Sequence, residues 1–221
     1  MKFFPSLHDR STFTKLANER NLTYYGAITE SGRFAYQPVL GITASPDQHD
    51  NNYTSGVVSG YNIQLLQRSH DVYLTNGRLL ARTWTIVAVN LKTDELPRML
   101  ISGRNQPNDG TTVLANYLNM YEINPILIDN ATKEFAQKFA VFAKPRDLPE
   151  AQPFFTPKFQ HTMAQYCLDF DFETDNNIIY VYSTKQPLRL VDLDRQLRAA
   201  IWFATHVDQV NLMAEQEIRQ I

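Results

Sequence analysis

Residues 57–91 read VVSGYNIQLLQRSHDVYLTNGRLLARTWTIVAVNL, and their reading decides the fold. Tyr61, Ile63 and Leu65 alternate with Asn62 and Gln64. That period of two belongs to a strand with one buried face. Thr75-Asn76-Gly77-Arg78 then supplies a hairpin turn, because Asn and Gly tolerate the positive φ that a two-residue loop demands. On the return strand Leu80, Arg82, Trp84, Ile86, Ala88 and Asn90 share one face, and Ala81, Thr83, Thr85, Val87, Val89 and Leu91 share the other. The second set is more uniformly apolar or β-branched, so it is assigned to the core.

Working outward, Phe13, Leu16 and Ala17 predict a short first helix over 11–20, with Ser11 and Thr12 as caps. Residues 22–26 predict a strand. Residues 41–56, rich in Gly, Ser, Pro, Asp and Asn, predict a long irregular loop. Further strands are expected at Met99-Leu100-Ile101, 126–128 and 139–142, with a helical turn around Val113–Leu118. Thr156-Pro157 has the form of an N-cap followed by proline in the first helical position. A second hairpin pairs Phe170-Asp171-Phe172 with residues 178–182. From about Asp192 to Gln220, Leu193, Leu197, Ala200, Ala204 and Val207 recur at helical spacing, with Asp192 as the expected cap. Together these predict one α+β domain over 1–221: a mainly antiparallel sheet packed against a long C-terminal helix and two or three shorter helices.

Composition narrows the function. The chain has 221 residues, 43% hydrophobic and 20% charged, which is enough to build a core. Lys plus Arg total 21 against 23 Asp plus Glu, so no global excess of charge points to nucleic acid or an anionic membrane. One cysteine, Cys167, excludes an intramolecular disulfide. No apolar run approaches the ~20 residues of a membrane helix, and no signal peptide is visible, so a cytoplasmic chain is expected.

The motifs of catalysis are missing from the sequence: there is no phosphate loop, no nucleophile elbow and no zinc-protease spacing. Asp47-Gln48-His49-Asp50 lacks the oxygens and spacing of a cation loop and reads as solvated. His161 and Cys167 are six apart on one helix, so they do not face each other; Cys167 reads as a core residue. His206 and Asp208 point to different faces for the same reason. No cofactor and no metal are expected. Arg68, Arg82, Trp84 and Arg98 stand out as candidate binding residues, because a basic aromatic sheet face suits single-stranded nucleic acid. The acidic overall balance argues against that use and for an ordinary polar face, with Arg82 and Trp84 as a stacking pair.

Several motifs in order, Phe139-Ala-Val141-Phe142, Leu148-Pro-Glu150-Ala151, Thr156-Pro157-Lys-Phe159 and Ile178-Ile179-Tyr180-Val181, resemble a bacterial domain family of unknown function. The resemblance spans about residues 13–215 and extends to Leu96-Pro97 before a short strand. Relatives of that kind often carry membrane helices ahead of the domain, and many have Arg where this chain has Gln152. The resemblance implies a protein partner and a place peripheral to the inner membrane, and it implies no activity. The expected function is therefore a non-enzymatic interaction or scaffold domain. An enzyme or ligand binder whose site forms only in space, and a weak single-stranded nucleic-acid binder, stand as alternatives.

Overall fold

The computed structural model describes residues 7–27, 42–43, 48–73, 79–92, 96–103, 118–186 and 188–218. Helix α1 (Leu7–Arg20) precedes β1 (Thr23–Gly26), β2 (His49–Val58), β3 (Tyr61–Tyr73), β4 (Leu79–Asn90), β5 (Leu96–Gly103) and β6 (Asn124–Ile126). There follow α2 (Lys133–Lys138), β7 (Phe139–Ala143), α3 (Leu148–Ala151), α4 (Pro157–Tyr166), β8 (Asp171–Asn176), β9 (Ile178–Ser183) and α5 (Leu190–Ile218). All described pairings are antiparallel, in one nine-stranded sheet of order β1-β2-β3-β4-β9-β8-β5-β7-β6. The β8–β9 hairpin thus stands between β4 and β5 and joins two strand blocks that are separate in sequence.

The fold is the expected α+β arrangement, with the long C-terminal helix laid on the sheet. Val87, Val89 and Leu91 enter the main core with Ile63 and Leu65, as their alternation predicts. Phe203 of α5 is fully buried against Phe159 of α4 and Phe172 of β8, with ring centroids 5.4 Å away in both cases. Two polar ties fix the register of α5 on the sheet. The buried amide of Gln196 donates to the carbonyls of Thr85 and Val181 at 2.9 and 2.8 Å. Asp208 accepts from the Tyr61 hydroxyl at 2.7 Å. Thr156 caps α4 as expected, its hydroxyl accepting from the Phe159 amide at 3.2 Å.

Four expectations need correction. The irregular loop over 41–56 is a strand from His49 onward, in register with β3. Its polar residues are paired across the sheet: Asn52, in a left-handed conformation at a register shift, donates to Gln67 and accepts from the Tyr24 hydroxyl, and Gln67 in turn donates to Asp9 of α1. β2 turns into β3 through Ser59 and Gly60, both at positive φ, which is the geometry of a two-residue primed turn. The first helix starts at Leu7, so Ser11 and Thr12 lie inside it; the Thr12 hydroxyl donates to the His8 carbonyl one turn back. Asp192 lies within the first turn of α5 and holds ion pairs there instead of capping it. Finally, the face of β4 left for solvent is buried at its centre, where Trp84, Ile86 and Ala88 pack with Leu66, Tyr180 and Tyr182. The Thr75–Arg78 turn and residues 113–117 of the expected helical turn lie outside the described residues; residues 118–121 are helical.

Candidate interaction surfaces

The four residues singled out by sequence lie on the second face of the sheet, opposite α5. Arg68 of β3 is wholly buried and makes a two-pronged ion pair with Asp50 of β2, both N–O distances being 2.7 Å. It also donates to the Thr43 hydroxyl at 3.3 Å. Arg68 and Trp84 are register partners on β3 and β4. The Arg82 guanidinium lies 5.2 Å from the Trp84 ring centroid, the stacking pair expected. Arg98 is separate: β9 and β8 stand between β4 and its own strand, an offset of roughly 14 Å at the usual strand spacing. It donates to Asp175 at 2.6 Å and lies 3.7 Å from the Tyr121 ring centroid. The structure brings three of the four together. Burial of Arg68 and Trp84 corrects the reading of this face as an open platform for bases, since stacking needs an accessible ring.

Sequence reasoning missed the counterpart of these cations. Asp171, Glu173 and Asp175 alternate along β8, so their side chains share the second face. The signal was present in the alternation of residues 170–175. Glu173 is wholly buried and accepts from the Tyr182 hydroxyl at 2.6 Å and from the Ile42 amide at 2.8 Å. Asp171 accepts from the Ser102 hydroxyl at 2.8 Å and the Gly103 amide at 3.1 Å. Desolvation holds its carboxyl above the ordinary range, and those two donors and the charge of Arg82 pull the other way. Every carboxylate in this row accepts from a donor of the chain itself, so the network holds β5, β8 and β9 in place.

On the other side of the molecule, α4 and the second half of α5 border an open groove of about 730 Å³. Its floor is aromatic. Phe159 stacks on Trp202 at 5.2 Å between ring centroids and on the His206 ring at 4.7 Å. His206 Nε2 lies 2.7 Å from the Phe154 carbonyl, and burial holds its pKa below the ordinary histidine value. Leu212 and Met213 at the rim are 53% and 67% exposed. Lys158 is the charged residue of the lining. His206 and Asp208 are apart, as their spacing predicts, with Asp208 turned toward Tyr61. A second, more open groove of about 620 Å³ is bordered by Asp129, Asn130, Leu148, Phe155 and the three prolines Pro149, Pro153 and Pro157. Cys167 is buried and desolvation pushes its thiol pKa up to about 12, which disfavours the thiolate. Among the described residues no group of three or more His, Cys, Asp or Glu is placed to hold a metal ion, and no helix is long and apolar enough to cross a membrane.

No family model matches the chain, and no curated protein matches it. Among solved structures it is similar to the crystal structure of the mycobacterial trehalose monomycolate transport factor A, TtfA, with a TM-score of 0.58 and 10% identity. The match covers 93% of this chain and 95% of that chain. At that identity the likeness is one of fold alone.

Proposed function

We propose that this chain is a non-enzymatic interaction domain that binds a protein partner through the groove between α4 and α5, in the cytoplasm beside a membrane. The observation that carries the reading is the composition of that groove. Trp202, Leu212 and Met213 present apolar and aromatic surface at its opening, over the Phe159–His206 stack. Aromatic and Met side chains are enriched where proteins meet: aromatics bury much area for little lost rotamer freedom, and the flexible Met thioether adapts to the partner's shape. From Trp202 to Met213 the helix runs about 16 Å, room for a partner helix of three turns to lay down its apolar side. The carboxylates and arginines of the second face support the same reading from the other direction, being engaged in holding strands together. A fold shared with a protein named as a transport factor is compatible with an accessory role. The resemblance to a family whose members often carry membrane helices supports a location at the membrane side.

The test is photo-crosslinking in cells from position 213 of the full chain, with position 127, on the highly exposed Leu127, as control. A discrete protein adduct is expected from position 213 and not from 127, lost several-fold on Trp202→Ala. No adduct at 213, or one indifferent to Trp202→Ala in a variant that keeps its circular dichroism, overturns the reading.

A further inference from the structure

A second surface, around the first half of α5, has a different character. Asp192 lies in the first turn of the helix, where the dipole favours anions, and both it and Asp194 are largely covered. Arginines spread over them. Arg189 and Lys185 pair with Asp192 at 2.6 and 2.9 Å. Arg198 pairs with Asp194 at 3.0 Å, and Arg20 of α1 reaches the same carboxylate. Arg195 joins Asp169, which also lies 3.7 Å from Lys185. These groups form two clusters, Arg189, Lys185 and Arg195 around Asp192 and Asp169, and Arg20 with Arg198 around Asp194, each with one positive charge in excess, in a chain whose net charge is −2. The layering matters as much as the count. The Asp192 and Asp194 side chains are 8% and 16% exposed, whereas those of Arg189 and Arg198 are 60% and 65% exposed. Over these two carboxylates solvent meets guanidinium groups first, whereas Asp169 is 44% exposed, as open as its partners Arg195 and Lys185. Val191 is exposed on the same helix, and Leu168 and Tyr166 are exposed beside Asp169.

We infer that this face of α5 rests on an anionic lipid surface. The shape favours a membrane over a peptide: the outer side of a helix is convex and encloses nothing, but a plane of headgroups needs no enclosure. Apolar side chains set among arginines are the composition of interfacial surfaces, where the aliphatic parts enter the headgroup boundary and the charges stay with the lipid phosphates. This deepens the membrane-side part of the reading above and uses none of the groove residues. With each cation near an anionic surface contributing about a fivefold step, an excess of two predicts partitioning roughly thirtyfold stronger onto anionic than onto neutral vesicles.

The experiment is co-sedimentation of the full chain with phosphatidylcholine vesicles and with vesicles containing about one-third phosphatidylglycerol, at low and high salt, alongside binding to a duplex DNA. The expected result is strong preference for the anionic vesicles, abolished by salt because screening lengths shrink to about 3 Å at 1 M. The double variant Arg189→Gln, Arg198→Gln removes the charge excess at exposed positions and should bring binding down to the neutral-vesicle level with unchanged circular dichroism. Trp202→Ala should bind vesicles as the parent does, so a failed partner groove and a failed lipid face give different results. Equal sedimentation with both vesicle types, or full binding by the double variant, overturns the inference. So does tighter binding to the DNA than to anionic vesicles, which would assign the patch to nucleic acid.

Discussion

The two faces of the central sheet are both buried at their centres, but by different chemistry. One is roofed by α1, α4 and α5 and filled with Phe, Leu, Ile and Val. The other is held by Arg68–Asp50, Arg98–Asp175 and Tyr182–Glu173, with Trp84 and the paired tyrosines between them. Apolar area stabilises the first face without regard to partner identity. The second depends on each charge finding its own partner, because desolvation of an ion is repaid only by good geometry.

The largest expected effects set these faces against each other. Phe203→Ala opens a cavity among Phe159 and Phe172 and should cost about 3–5 kcal/mol in denaturant unfolding. Arg68→Ala should cost a similar ~3–5 kcal/mol, since it leaves Asp50 without the pair that compensates its burial. The faces part in the double variant Arg68→Met, Asp50→Leu: apolar replacement of both partners should recover most of that loss. If the double variant is as unstable as Arg68→Ala, the ion pair contributes more than charge compensation and the two faces do not differ in this way. A smaller effect is expected from Tyr182→Phe, which removes one donor to the buried Glu173 carboxylate and should cost about 1.5–3 kcal/mol.

Two carboxylates sharpen the comparison through pH. Hydrogen bonds from Arg189, helped by Lys185, hold Asp192 down to about 2, below its unfolded value. Its contribution is complete above about pH 4 and is lost as pH falls toward 2. Desolvation holds Asp171 above its unfolded value, so the folded state binds the proton more tightly and stability from this group falls as pH rises through that window. Chemical denaturation between pH 2 and 7 should show Asp192→Asn losing stability at pH 7 and converging on the parent in acid. Asp171→Asn, which keeps an oxygen for Ser102 and Gly103, should not lower the pH 7 midpoint. A marked drop for Asp171→Asn would mean that its charge stabilises the fold. The smallest effect is that of a cap: Thr156→Ala should cost about 1 kcal/mol, read as a shift in melting temperature.

The contrast also marks what could be read from sequence. Val87 and Val89, Phe159 and Met163, and Leu193 through Val207 declared their burial by period alone, because apolar spacing is a local property. β2 did not, since His49, Asp50, Asn51 and Asn52 have the composition of a loop and become a strand only through partners such as Gln67 and Arg68. The candidate site was legible in pieces. The Arg82–Trp84 stack follows from two residues on one strand. The burial of Arg68 depends on Thr43 and Asp50, and the groove depends on Phe159 meeting Trp202 and His206 across more than forty positions. No local spacing encodes such meetings.

The placement of the β8–β9 hairpin has a consequence for how the chain is made. The middle of the sheet is the last part of it to leave the ribosome. Until residues 171–183 emerge, β4 and β5 each present a strand edge with nothing beside it, and α5 has no complete surface to lie on. Folding of this sheet must therefore wait for residues 171–218, and a nascent chain stalled before them carries two open edges, which is the condition under which strands pair with the wrong neighbour.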